Sequence, residues 1–270
     1  MRYEHLLIDI AGPVATVTLN RPRVRNAIDA ETVAELADCF AQLWKFPRRP
    51  KAARSLRVLV LRGAGEDFCA GADIRWMRGV ADSGSAEKRR HVGRLVRMID
   101  TLNASPLAVV GRVHGAAYGC GLGLVAACDV AVAGAGARMC FSECRLGILP
   151  AVVCSFVLPK IGLSHTRRLY LTSEVFDAET ARRVGLVHEA VPEAELDARV
   201  DAVVGSILRN GPRAVRESKA YLARMAALSR AARLRLSADA LVRSLASDEA
   251  KEGLGAFLGK RPAAWRADGR

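Results

Sequence analysis

The chain has 270 residues, is 51% hydrophobic and carries a formal net charge of +13. That length holds one large domain, or one domain with an appendage. No apolar run is long and charge-free enough to span a bilayer, and the opening "MRYEHLLIDIAG" lacks the apolar core of a signal peptide, so a cytoplasmic protein is expected.

Taken in order, "LLIDIAGPVATVTLNRP" reads as two short strands around Gly12-Pro13, a hairpin signal. "DAETVAELADCFAQLWKF" follows as a helix with Asp29 as N-cap. Val33, Leu36, Phe40 and Leu43 share one face, and Pro47 and Pro50 break it. "LRVLVLRG" is a buried strand, "SAEKRRHVGRLVRMIDTL" an amphipathic helix, and "PLAVVGRV" and "CDVAVAG" are further strands. Strands alternating with helices predict an α/β fold. After about Val191 every segment is helical, from "PEAELDARVDAVVGSILRNG" to "SDEAKEGLGAFLGKR". The expected division is an α/β core over 1–200 and a helical region over 201–270, with no low-complexity linker and no tandem repeat.

The seven cysteines are scattered through apolar or glycine-rich contexts and form no CxxC pair. Buried reduced thiols are expected, rather than disulfides or zinc ligands. The basic balance fits a solvated surface and attraction for anionic metabolites that carry phosphate. No zinc finger, RNP aromatic motif or basic zipper accompanies it, which argues against nucleic acid as the partner.

Two glycine-rich turns carry the chemistry. "RVHGAAYGCGLGLVAACDV" follows a strand and turns into a small-residue helix. Glycine permits positive φ and close approach. The free N–H groups at the helix start favour an anion or a developing oxyanion. "GAGEDFCAGADIRWM" also leaves a strand and turns through glycine into a helix. One N–H from each turn could meet at a single oxygen, which is the geometry of an oxyanion hole. Gly121-x-Gly123-x-x-Ala126, with Glu143 downstream, also fits a dinucleotide fingerprint. Against that, Cys128-Asp129 starts the next strand too soon for a crossover helix.

"LNRPRVRNAID", "DFCAGADIRWM", "HGAAYGCGLGLVAACDVAVA", "FSECRLGILPA", "FDAETARRVGLVHEAV" and "EAKEGLGAFLGKR" together resemble, in this order, the enoyl-CoA hydratase/isomerase (crotonase) superfamily over about residues 5 to 262. The resemblance implies a crotonase-like spiral of ββα turns with a C-terminal helical trimerisation region. It also implies an acyl-CoA thioester substrate, no metal or redox cofactor, and a homotrimer or a hexamer built from two trimers. By position, the backbone N–H groups of Ala72 and Cys120 are the oxyanion donors, and Glu143 is the acid/base. Arg23 and Arg25 match where the family meets the CoA phosphates or adenine side, and Ala70, with Ala72, Asp73 and Ile74 after it, lies on the turn that meets the adenine and thioester. Phe257 and Lys260 match a C-terminal helix that reaches a neighbour's CoA. Asp73 is read as capping the turn before "IRWM", and His114 as a neutral structural histidine.

Many hydratases of this family use two carboxylates, and the first position here matches Gly123. Two explanations follow. Glu143 alone shuttles a proton between C2 and C4, which is Δ3,Δ2-enoyl-CoA isomerase chemistry. Alternatively, the space at Gly123 admits a branched acyl group and Glu143 activates water. "GADIRWM", "GLGLVAACD" and "GILPAVV" resemble the bacterial branch that hydrates methylglutaconyl-CoA and isohexenylglutaconyl-CoA, which favours the hydratase. Arg75 and Arg145 are then candidate partners for the second carboxylate of such a substrate. Outside enzymes, the alternative is a CoA-fold protein that binds RNA through its basic face.

Overall fold

The computed structural model describes residues 2–45, 55–226 and 228–266. Pro47 and Pro50, expected to stop the first helix, lie outside the described residues, as do 267–270 of the helical region.

The expected hairpin is present. β1 (Leu6–Ala11) pairs antiparallel with β2 (Val14–Leu19). The turn uses Gly12 at φ +57°. α1 (Ala30–Leu43) is capped by Asp29, whose carboxylate accepts the Thr32 N–H at 2.9 Å. Val33, Leu36, Phe40 and Leu43 are all buried, as their spacing predicts.

β3 (Val58–Gly63) is followed by α2 (Ile74–Asp82), α3 (Ser85–Asn103), β4 (Ala108–Val113), β5 (Ala116–Tyr118) and α4 (Cys120–Ala127). Next come β6 (Val130–Gly134), β7 (Arg138–Cys140) and α5 (Ala151–Thr172), the last interrupted at Gly162 with φ 69°. β8 (Phe176–Asp177), α6 (Ala178–Val184), β9 (Glu189–Val191) and the helices α7 (Leu196–Leu208), α8 (Pro212–Ala226), α9 (Arg230–Leu245) and α10 (Asp248–Leu258) complete the chain.

A six-stranded sheet has the order β1-β2-β3-β4-β6-β9, parallel except for the hairpin. A three-stranded sheet, β5-β7-β8, lies apart from it. Alternation along β3 explains the two-sided core. Leu59 and Leu61 face the main cluster, with Phe40, Ile99 and the α4 side chains, while Val58 and Val60 face α7.

α7 spans the expected boundary at 200/201. Its Leu196, Val200 and Val204 cover the Val58–Val60–Val110–Val132 face, so it belongs to the α/β core. α8 is tied on by Lys219, whose Nζ donates to Asp129 at 2.7 Å and to the Leu107 carbonyl at 3.1 Å. α8 and α9 bury no residue, and α10 buries only Ala256.

Candidate active site

The small-residue stretch forms α4, and all eight of its residues are buried. It packs against α3, α5 and β5, with no polar face left over. Small side chains let these neighbours close in. A Cβ on Gly121 would stand 2.5 Å from the Cys69 carbonyl oxygen. The sequence expectation of open space at Gly123 is overturned: a Cβ there would meet Val153 Cγ1 at 2.7 Å and Ile99 Cδ1 at 3.0 Å. Gly123 belongs to a tight helix contact and does not line the cleft.

The two glycine turns meet. Gly71 has φ 104° and Gly119 has φ 49°, conformations that favour glycine. A Cβ on Gly71 would lie 3.1 Å from the Tyr118 carbonyl and 3.9 Å from Gly119 Cα. Ala72 follows the first glycine and Cys120 the second. The Ala72 flank is tied down by the Ile28 N–H, which donates to Gly71 O, and by the Asp73 N–H, which donates to Ile28 O, both at 2.8 Å. Neither the Ala72 nor the Cys120 N–H has an acceptor among the described residues. Both residues line one apolar cleft with Glu143. Two unpaired donors on adjoining turns suit a single oxyanion.

Glu143 comes from a short 3-10 turn, Glu143–Leu146, after β7. One carboxylate oxygen lies 3.3 Å from where a Cβ on Gly119 would stand, which puts the acid beside the second donor turn. Its Oε2 is buried without a hydrogen-bond partner. Burial raises its pKa above the ordinary glutamate value. Ile74, Met77, Leu95, Leu146, Ile148 and Val152 contribute the apolar lining, and among the described residues no lysine or arginine lines the cleft. Apart from Ile74, these lining positions went unassigned in the sequence, because an apolar residue that lines a cleft looks like one that fills a core. The Cys120 thiol, in contact with Cys69 and buried, is held well above the ordinary thiol range and is therefore neutral.

Asp73 caps α2 as expected. Its Oδ1 accepts the Arg75 and Trp76 N–H groups at 2.9 and 3.3 Å. Ala70 lines the cleft, and its N–H donates to the Arg25 carbonyl at 2.9 Å. Arg23 is exposed. Arg25, expected to meet the CoA phosphates or adenine side, pairs with Asp67, with Nε 2.6 Å from Oδ2 and NH2 3.2 Å from Oδ1. Of the proposed carboxylate partners, Arg75 is exposed, and Arg145 turns away to donate to the Ser173 carbonyl at 2.5 Å. Phe257 lies in the last turn of α10 and Lys260 two residues past its end, and neither lines the cleft within one chain. His114 receives a hydrogen bond from Arg112 on Nδ1 at 2.9 Å and donates from Nε2 to Gly65 O at 3.0 Å. Arginine only donates and a carbonyl only accepts, so the ring is the neutral Nε2–H tautomer. Burial lowers its pKa accordingly.

Sequence reasoning missed Asp67 and Asn26. Asn26 is buried at φ 55°, and its Nδ2 donates to Ala64 O and Asp67 O at 2.8 and 2.7 Å. An asparagine closing the turn that follows Pro22 is a weak signal for a left-handed residue. Among the described residues no group of three or more His, Cys, Asp or Glu could hold a metal ion. No helix of the described residues is long and apolar enough to cross a membrane.

Comparison with known proteins finds similarity over nearly the whole chain. The family model described as "Enoyl-CoA hydratase/isomerase" matches residues 9–268. The chain is 32% identical to a crotonyl-CoA hydratase of Syntrophomonas wolfei, over 97% of this chain and 98% of the relative. The solved structure of Pseudomonas aeruginosa AtuE superposes with a TM-score of 0.90 at 36% identity, covering 97% of this chain and 99% of that one. An enoyl-CoA hydratase from Shewanella pealeana superposes with a TM-score of 0.90 at 30% identity, covering 98% and 97%.

Proposed function

The chain belongs to the enoyl-CoA hydratase/isomerase family, and we propose that it is an enoyl-CoA hydratase working with one carboxyl group. The observation that carries this reading is the Glu143 carboxylate, whose Oε2 is buried without a partner among the described residues, in the same apolar cleft as the free N–H groups of Ala72 and Cys120. The Glu143 carboxylate takes a proton from water, and the oxygen attacks C3 of the enoyl thioester. The electron pair moves onto the thioester oxygen, where the two N–H groups stabilise the enolate. Glu143 then returns its proton to C2. The chemistry is acid–base throughout and needs no cofactor beyond the CoA that the substrate carries.

The acyl group is apolar. The branched methylglutaconyl type expected from the sequence motifs would bring a second carboxylate into a cleft that no described cation lines. Burying that carboxylate unpaired is costly.

A second reading, Δ3,Δ2-enoyl-CoA isomerase, is favoured by the packed Gly123 position, which leaves Glu143 without a partner acid. Glu143 then removes a proton from C2 of a 3-enoyl thioester, and the dienolate takes it back at C4. Turnover in ¹⁸O-water separates the two. Label in a 3-hydroxyacyl product supports hydration, and a shifted double bond without label supports isomerisation.

The assembly we propose is a trimer or a pair of trimers. Its support is the uncovered apolar side of the helical region, where Phe257 is 82% and Leu258 80% exposed.

A further inference from the structure

The segments that carry the two donors run side by side. The Cys69 N–H donates to Ala116 O, and the Tyr118 N–H donates to Cys69 O, both at 2.9 Å. One step earlier, a regular parallel ladder would bring the Ala116 N–H to the Asp67 carbonyl. The chain departs from that pattern. The Phe68 N–H takes His114 O at 2.9 Å, and the Asp67 carbonyl is occupied by Asn26 Nδ2 at 2.7 Å. The Ala116 N–H donates instead to the Asp67 side chain, at 2.7 Å from Oδ1. A carboxylate oxygen stands in for a backbone carbonyl where the ladder slips.

That carboxylate is only 13% exposed. Arg25 neutralises it through both guanidinium contacts, and its backbone carbonyl also holds the Ala70 N–H. The Arg25 hydrogen bond first, and the Ala116 N–H after it, keep the Asp67 pKa below the ordinary carboxylate range. Ala72 follows on one segment and Cys120 on the other, so this junction fixes the offset between the two donors. Glu143 reaches the cleft from a different segment.

We propose that Asp67 is a positioning residue whose ionised carboxylate, held by Arg25, sets the separation of the Ala72 and Cys120 N–H groups. The inference rests on the oxyanion role given to those groups above. Small offsets matter, because a misplacement of about 1 Å at a reacting centre costs on the order of 10²-fold in rate.

The test is D67N, whose amide oxygen still accepts from Ala116 while the ion pair is lost. The probe is dimethylaminocinnamoyl-CoA, whose absorbance moves to the red when its thioester carbonyl is polarised. Wild type is expected to give a clear red shift; no shift in wild type would overturn the oxyanion reading itself and leave nothing for Asp67 to position. Given the wild-type shift, D67N is expected to show a smaller one, with kcat lowered roughly 10- to 100-fold and the Kd of the probe changed less than about threefold. A full red shift at wild-type kcat, or a change confined to Kd, would overturn the proposal. If D67N does not fold, R25Q decides the matter: a reduced shift at unchanged Kd supports positioning, and a full shift overturns it.

Discussion

The γ1 methyl of Val153 lies 2.7 Å from the point a Cβ on Gly123 would occupy, with Ile99 Cδ1 at 3.0 Å on another side. α4 and α5 therefore meet through the missing side chain. Gly123, matched by sequence to the first carboxylate of the two-acid hydratases, is a helix contact here, and among the described residues Glu143 is the one acid lining the cleft.

Restoring a carboxylate at that position is expected to fail unless the neighbour shrinks. G123A should already lose up to about 2 kcal/mol, since crowding of roughly 1–3 kcal/mol outweighs a helix-propensity gain near 1 kcal/mol. G123E should fold poorly, and G123E/V153A should recover a cooperative thermal transition. Thermal melts and crotonyl-CoA hydration assays check this. A stable G123E with raised hydration would show that α5 yields freely.

E143Q is expected to lower turnover by roughly 10²- to 10⁴-fold while CoA-thioester affinity stays close to wild type. Single-turnover kinetics alongside equilibrium binding separate the two. An active E143Q would remove Glu143 from the mechanism.

The pH dependence has a definite sign. Burial raises the folded-state pKa of Glu143, so the protonated form favours the fold. Its contribution is full below the unfolded-state value and is lost as pH rises through the folded-state one. At neutral pH, E143Q should therefore melt higher than wild type, by a few degrees at roughly 2–4 °C per kcal/mol, and the gap should close at acid pH. The acid limb of kcat/KM for wild type should also lie above the ordinary glutamate range. A Tm gap independent of pH would mean the carboxyl is not desolvated.

An apolar cleft predicts its substrate preference. Crotonyl-CoA should exceed methylglutaconyl-CoA in kcat/KM on the order of 10²-fold or more, the consequence of an uncompensated buried charge. R145A should leave that ratio unchanged, because Arg145 serves the Ser173 carbonyl at the end of α5. A ratio that collapses in R145A would return this arginine to the site.

Asp73 caps α2, whose Ile74 and Met77 line the cleft. D73A should cost about 1 kcal/mol through the lost cap, and D73N should cost little, since asparagine caps nearly as well. Denaturant melts measure both. A sharp kcat loss in D73N would give Asp73 more than a capping role.

The sequence by itself determined the elements that backbone and burial pattern dictate. The period along α1, the buried run of β3, the Asp29 and Asp73 caps and the two glycine turns were all legible, because each is a local rule acting within a few residues. Glu143 was legible as an acid in an apolar segment. What only the tertiary structure decided involved residues distant in sequence. Whether Gly123 opens space depended on Val153 and Ile99 from other helices. That Arg25 pairs with a carboxylate depended on Asp67, across the fold. That α7 belonged to the core depended on valines of three strands needing a cover. Volume and charge pairing are settled between segments, and the order of residues along one segment carries no measure of what will stand against it.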